Sequence, residues 1–307
     1  QRLTTMPSSQ KSFPVTPSLF RFAQHGASGA WISELLPHLS RVVDELCFVH
    51  SHHTEAINHD PAITFMQTGS QQAGRPSLGA WVSYGLGSEN RDLPDFVALV
   101  SSTVRTGQPL YSRLWGSGFL PTRHQGVQFR GQGDPVLHLS NPAGMSTQLR
   151  SAILGDINSL NRIRLRQVGD PEIATRIAQY ELAYRMQSAV PEAVALGQET
   201  ADTQRLYGID EGPTKLAGER LLAARRMVER GVRFVQVFPS PYGTWDSHQK
   251  LKENHARMCK SVDKPIAGFV ADLKQRGLLD EVAIVFCTEF GRTPGPVSYT
   301  HLRAHET

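Results

Sequence analysis

Short, wholly apolar runs alternating with amphipathic helices constrain this chain more than any other feature of its sequence. Helical patterns over Ala217–Arg230 and Asn254–Gln275 each lead into such a run. An uninterrupted apolar run of this length is typical of a strand that is covered on both faces, and helices between strands indicate crossover connections. We therefore predict an α/β fold, a three-layer α/β/α sandwich with a mostly parallel sheet. The predicted strands are Leu46–Val49, Phe96–Val100, Val232–Phe238 and Val282–Cys287.

The remaining patterns complete a single α/β domain over residues 1–294 with an insertion at about 103–215. A helical spacing of apolar residues runs from Gly29 to Leu46. The stretch after residue 103 is rich in Gly, Pro, Gln and Ser, which predicts loops. The other predicted helices are Asp60–Gly69, Ser77–Gly85, Ser146–Val168 and Pro171–Ala189.

Composition excludes several classes of protein. The 32 Lys and Arg residues exceed the 28 Asp and Glu residues only slightly and without clustering, so a nucleic-acid surface is not expected. No run reaches the ~18 apolar residues of a membrane span. Cys47, Cys259 and Cys287 lie in apolar segments without paired spacing, and we expect buried free thiols. Oligomeric state is not constrained.

Both ends of the chain are expected to be incomplete. The first residues are polar, and we expect a natural N-terminus to have preceded them. Its absence would expose an edge of the sheet, so we expect poor solubility. Residues 295–307 follow a Gly/Pro cluster and show no hydrophobic period, so we predict a non-native tail. Its histidines, His301 and His305, are not expected to be functional.

Polar residues that directly follow the predicted strands are the first site candidates, because open parallel sheets bind ligands at the carboxyl ends of their strands. Asp246 and His248 follow one strand and Glu289 follows another. Carboxylate and imidazole groups delivered from separate loops suit a divalent cation. Two alternatives stay open: Asp246 and His248 as a loop cap and a surface imidazole, and Glu289 as a carboxylate paired with Arg292.

Histidines are concentrated after the first predicted strand. Four of the chain's twelve lie between His50 and His59, and hydrogen-bonded structural roles are expected for most of them. His255, at the start of a predicted helix, is an outer candidate ligand.

Several longer motifs resemble one known family. The chain is similar to the family filed as domain of unknown function 1501, and the resemblance covers residues 1–294. The motifs that carry it are Gln1–Met6, Phe22–Gly26, Ser28–Trp31, Ala56–Thr64, Gln67–Ser70, Gly74–Ser77, Tyr84–Asn90, Trp245–His248 and Glu289–Pro294.

The resemblance implies an alkaline-phosphatase-like fold related to sulfatases, and export to the periplasm or medium, often by a twin-arginine signal. It implies a divalent metal (zinc, calcium or manganese) that acts on a sulfate or phosphate ester of a small molecule or polysaccharide. Asp246, His248 and Glu289 would be metal ligands, and Arg292 would pair with an ester oxyanion.

On the same resemblance, His59 falls where relatives carry a Cys, Ser or Thr nucleophile. It could be a ligand, a general acid or a nucleophile, with Asp60 beside the reacting group. The sequence thus predicts a metal-dependent hydrolase of sulfate or phosphate esters. The alternative is an exported binding or scaffold protein that keeps the fold without turnover.

Overall fold

A computed structural model of the protein describes residues 17–100, 112–130, 134–136, 139–240, 243–247, 250–292, 296–298 and 301–302. The helices are α1 (His59–Thr68), α2 (Leu78–Leu86), α3 (Thr147–Val168), α4 (Pro171–Ala193), α5 (Ala201–Leu206), α6 (Lys215–Glu229) and α7 (Leu251–Gln275). The strands are β1 (Phe22–His25), β2 (Ala30–Ser33), β3 (Phe96–Val100), β4 (Val127–Phe129), β5 (Phe234–Phe238), β6 (Pro296–Ser298) and β7 (His301–Leu302).

The central sheet has three parallel strands in the order β4, β3, β5. Phe96 pairs with Phe234 and Val100 with Phe238, so β3 and β5 are in register along their whole length. The prediction of an α/β fold with parallel strands is confirmed. Strand β4 lies in the stretch for which loops were predicted, because its three residues are too few to show a period.

Strand β3 is buried on both faces, as its uninterrupted apolar sequence predicted. Val97 and Leu99 belong to a core cluster that also contains Leu222 of α6 and Leu273 of α7. Phe96, Ala98 and Val100 belong to a second cluster on the opposite side, which Ile63 of α1 borders. Successive side chains of a strand point to opposite faces, so five consecutive apolar residues supply both clusters.

Glycines allow the last two long helices to approach the core closely. A Cβ at Gly218 of α6 would lie 2.3 Å from the carbonyl oxygen of Tyr207. A Cβ at Gly268 of α7 would lie 2.3 Å from the carbonyl oxygen of Leu206. The last residue of α5 and the residue after it are therefore held against α7 and α6, respectively, at a distance that only glycine permits.

A buried arginine connects the same helices. Arg225 of α6 is 2% exposed and forms ion pairs with Glu199 (2.7 Å), Glu229 (2.6 Å) and Asp272 of α7 (3.0 Å). The hydroxyl of Tyr207 also donates to Asp272 (2.8 Å). A buried guanidinium is tolerated because several carboxylates compensate its charge.

Three predicted elements are wrong. Instead of a helix over Gly29–Leu46, residues 22–33 form the antiparallel pair β1 and β2, and two 3-10 turns follow. Pro37 would remove a hydrogen bond from a helix interior, and the Asp44 carboxylate accepts from the backbone N–H groups of Ala27 and Ser28 at the β1–β2 turn. These interactions favour a strand pair and turns over residues 22–45, although the apolar residues recur at a helical spacing.

The predicted strands Leu46–Val49 and Val282–Cys287 are extended chain without strand pairing. Val285 and Phe286 are 80% and 69% exposed. An apolar run records a tendency to be buried, but a strand also needs a hydrogen-bonding neighbour, and no described strand pairs with either run.

The cysteines are free, but they are less buried than expected. Cys47 and Cys287 are exposed and Cys259 is partly buried. The two exposed thiols lie in the unpaired extended runs, so their exposure has the same cause. Within the described residues, none of the helices is both long and apolar enough to cross a membrane.

Candidate functional site

The imidazole of His59 lies between two carboxylates. Its Nδ1 is 2.7 Å from Glu289 Oε1, and its Nε2 is 3.1 Å from Asp246 Oδ2. A carboxylate accepts at each ring nitrogen, so both nitrogens carry a proton and the ring is an imidazolium cation.

Arg292 joins the same two carboxylates from the other side. Its Nη1 donates to Asp246 Oδ1 (3.2 Å), and its Nη2 approaches Glu289 Oε1 (3.5 Å). The Arg292 side chain is only 7% exposed. We call His59, Asp246, Glu289 and Arg292 the His59 cluster: two cations and two anions that balance in charge.

Three segments that are remote in sequence supply the cluster. His59 is the first residue of α1, where Pro61 is tolerated because first-turn N–H groups have no intrahelical partner. Asp246 follows a turn after β5, in which its N–H bonds the carbonyl of Gly243 (3.2 Å). Glu289 and Arg292 follow the extended run 282–287. The cluster therefore lies beyond the carboxyl end of β5, where ligands bind in parallel sheets.

The two carboxylates dominate the electrostatics of His59. The hydrogen bond to Asp246, followed by that to Glu289, raises the pKa of His59 to about 9, although partial burial acts in the opposite direction. The helix N-terminus disfavours a cation by only ~0.3–1 kcal/mol, less than two charge-assisted hydrogen bonds contribute. Burial works to raise the pKa of Glu289, but the His59 hydrogen bond and Arg292 hold it below its usual value.

One aromatic ring orients both cations. The ring of Phe290 lies 5.0 Å from the His59 ring, centroid to centroid. The guanidinium carbon of Arg292 is 5.0 Å from the centroid of the same ring. Sequence reasoning missed Phe290, although its position beside Glu289 could have indicated it.

Asp60 turns away from the cluster. Its carboxylate pairs with Arg113, which the sequence did not single out. The Asp60 side chain is 50% exposed, so this ion pair lies at the surface beside the cluster. Asp60 and His59 are adjacent on a helix, and adjacent helical side chains point in different directions.

The donor types of the cluster suit a divalent cation, but the described residues do not form a complete metal site. His59 Nε2 and Asp246 Oδ2 are 3.1 Å apart, a separation that two bonds of ~2.0–2.2 Å to one ion can span. Glu289, however, contacts the opposite ring nitrogen, and no group of three or more described His, Cys, Asp or Glu side chains is arranged to hold an ion. His248, the third predicted ligand, lies outside the described residues.

The other candidate histidines lie elsewhere. His50, His52 and His53 are exposed. His255 is 6% exposed on α7, and the ion pairs of the His59 cluster do not include it.

A buried serine and histidine also meet a partly buried aspartate, but not in the order of a catalytic triad. Ser83 Oγ contacts His124 Nδ1 (2.8 Å) and donates to Asp95 Oδ2 (2.9 Å), so the serine rather than the histidine is the central group. Burial lowers the pKa of His124, and Ser83 is 1% exposed. These contacts join α2 to the start of β3 and do not present a nucleophile to solvent.

The fold and the cluster define a mixed α/β protein with a charge-balanced group of two carboxylates, an imidazolium and a guanidinium beyond the carboxyl end of a parallel strand. The chain belongs to the family described as "Protein of unknown function (DUF1501)", whose sequence profile matches residues 1–305. No curated protein and no solved structure matches the chain.

Proposed function

We propose that the chain is a metal-dependent hydrolase of sulfate or phosphate esters, with the His59 cluster at its reaction site. The observation that carries the proposal is the meeting of His59, Asp246 and Glu289 from three segments remote in sequence. Hydrolysis of an anionic ester needs carboxylates for a cation, a proton donor for the leaving group and a positive group for the oxyanion. The cluster contains all three.

Asp246 and His248 would hold the cation, and Glu289 would join them when its carboxylate turns from His59 Nδ1 towards Asp246. Zinc, calcium and manganese all accept such donors. When bound, the ion supplies Lewis-acid polarisation of an ester oxygen. Because the four described side chains balance in charge, a bound cation makes the site positive and complementary to a sulfate or phosphate group.

His59 and Arg292 would act on the ester directly. A water molecule would attack the sulfur or phosphorus, and His59, which holds protons at Nδ1 and Nε2, would protonate the oxygen of the leaving alcohol. Arg292 presents a planar guanidinium suited to two oxygens of one sulfate or phosphate group. Asp60, next to His59 on α1, holds Arg113 by an ion pair, and this guanidinium would be a second group for the anionic substrate.

We extend the proposal to the fold and the location of the protein. A three-layer alkaline-phosphatase-like arrangement is supported by the burial of β3 on both faces. Membership of the sulfatase superfamily, and a periplasmic or secreted location, are supported by the resemblance of the motifs alone.

Metal analysis combined with ester turnover tests the proposal. Purified wild type is expected to contain about one divalent ion per chain and to hydrolyse 4-nitrophenyl sulfate or phosphate. Asp246→Asn and Glu289→Gln should lose both ion and activity. His59→Gln should keep the ion and lose activity. The control Asp202→Asn, an exposed carboxylate paired with Arg205, should change neither. Wild type without ion and without turnover would overturn the proposal.

A non-catalytic binding or scaffold protein is the second candidate. It is favoured by the mutual neutralisation within the cluster, in which each charged side chain contacts at least one opposite charge. An ion that binds wild type but supports no turnover of either ester would select it.

A further inference from the structure

Three exposed aromatic rings form a row on the surface at α2. Trp81 meets Tyr84 of the same helix and Phe119 of the loop after the 3-10 turn Ser112–Trp115, at ring-centroid distances of 6.1 and 5.8 Å. The exposed fractions of Trp81, Tyr84 and Phe119 are 43%, 54% and 67%. We call these three residues the aromatic patch. Neighbouring large apolar side chains are unfavourable in water, so such a patch marks a binding surface.

Close packing holds the two segments of the aromatic patch together. The hydroxyl of Ser77, the N-cap of α2, donates to the carbonyl oxygen of Gly116 (3.0 Å), and the N–H of Ser77 donates to the same oxygen (3.1 Å). Gly118 has a φ of +56°, and a Cβ there would lie 2.4 Å from the backbone of Arg75. The patch is therefore formed before a ligand binds, which reduces the entropy lost on binding.

An arginine lies at each end of the aromatic patch. Arg123 Nε donates to His124 Nε2 (3.0 Å), and the His124 ring meets the Tyr84 ring edge-on at 5.4 Å. Arg75, whose backbone contacts the loop that carries Phe119, lies at the other end. Both arginines are exposed, and within the described residues neither forms an ion pair with a carboxylate. Two uncompensated guanidinium groups attract an anion to this surface.

The polar groups of this surface are mostly hydrogen-bond donors. The indole N–H of Trp81 and the hydroxyl of Tyr84 make no hydrogen bond to a described residue, and a guanidinium has only donors. The carboxylate of Asp95 already accepts from Ser83 (2.9 Å). A matching ligand is therefore anionic, rich in acceptors and able to place apolar surface against the rings.

We propose that the aromatic patch, together with Arg75 and Arg123, binds a sulfated polysaccharide. Each sulfate replaces a hydroxyl donor with acceptor oxygens and pairs with a guanidinium, and the C–H faces of the sugar rings pack against the aromatic rings. An acidic peptide offers the same charge, but each of its residues also brings a backbone N–H, for which this surface has few acceptors. The site is separate from the His59 cluster and does not require that cluster to be catalytic.

Two substitutions test the site and a third is the matched control. Phe119→Ala removes the most exposed ring of the patch, and Arg123→Met removes one guanidinium while keeping an apolar side chain of similar length. Trp31→Ala removes a tryptophan that is 64% exposed on β2, away from the patch. Phe119→Ala and Trp31→Ala should melt close to wild type, because exposed side chains contribute little to stability.

Calorimetric titration of the full chain tests the proposal, at about 150 mM NaCl so that weak surface charge effects are screened. Dextran sulfate is the probe, and dextran, poly-L-glutamate and oligothymidylate are the comparisons. EDTA is present throughout, so that the result reports binding without metal-dependent turnover and is independent of whether the proposed hydrolysis occurs.

Wild type should bind dextran sulfate with a Kd between about 1 μM and 1 mM and should not bind dextran. Phe119→Ala and Arg123→Met should each weaken this binding about tenfold, and Trp31→Ala should leave it unchanged. Four results would overturn the proposal: no binding of dextran sulfate by wild type, unchanged binding by either patch variant, an equal loss in Trp31→Ala, or equal affinity for poly-L-glutamate or oligothymidylate.

Discussion

His59 Nδ1 lies 2.7 Å from Glu289 Oε1, although 230 positions separate the two residues in the chain. This contact joins the start of α1 to the segment after the extended run 282–287, and Asp246 completes the connection to β5. One imidazolium thus links the start of α1, the turn after β5 and the segment that follows residue 287.

Stability should fall at alkaline pH through His59. The pKa of His59 is raised to about 9 in the folded protein, so its contribution is complete below about 6.5 and is lost as pH rises through about 9. The upper limit of this contribution is ~3 kcal/mol. Urea unfolding at pH 6 and pH 9.5, with a chelator present, measures it. The difference between the two pH values should shrink in His59→Gln, and an unchanged difference would contradict the assignment.

Loss of the buried Arg225 should be strongly destabilising. Arg225→Met removes the most buried guanidinium from Glu199, Glu229 and Asp272 and leaves them to the more exposed Arg276 and, at Glu199, Arg226. Breaking a buried network of this kind costs up to ~3–5 kcal/mol. Equilibrium unfolding in urea gives the value. The control Arg205→Met removes an ion pair whose arginine is 59% exposed and should cost less than ~1 kcal/mol. Equal losses in the two variants would contradict the prediction.

The same Gly→Ala change should lower stability in one helix and raise it in another. At Gly218 the new Cβ would lie 2.3 Å from the Tyr207 carbonyl oxygen, and overpacking costs ~1–3 kcal/mol. At Gly155 it meets nothing within 4 Å, so the better helix propensity of alanine should add ~0.5–1 kcal/mol. Thermal melting of both variants beside wild type checks the signs. A stabilised Gly218→Ala protein would show that the two segments do not approach so closely.

The exposed run 282–287 should limit solubility. Val285 and Phe286 are 80% and 69% exposed, and neighbouring exposed apolar residues in an extended segment favour association. The double substitution Val285→Lys and Phe286→Lys should raise the highest concentration at which light scattering shows a monodisperse protein. It should not lower Tm. Val168→Lys, at a single position that is 62% exposed at the end of α3, should have a smaller effect. A drop in Tm for the double variant would indicate that the run is packed rather than exposed.

The sequence by itself determined the elements whose signal is local. Helices α1 to α4, α6 and α7 follow the apolar period and its stop signals, and β3 and β5 follow their apolar runs. The placement of Asp246 after β5 was also readable from the sequence, whereas Glu289 reaches the same cluster from a run that is not a strand of the sheet.

Only the tertiary structure decided what depends on partners distant in the chain. Leu46–Val49 and Val282–Cys287 have the composition of strands but no described neighbour to pair with, whereas the short β4 is a strand because β3 lies beside it. The directions of side chains were decided in the same way: His59 points to Asp246 and Glu289, and Asp60 points to Arg113. Periodicity reports which residues avoid water, while hydrogen bonds and ion pairs between remote segments depend on how the whole chain packs.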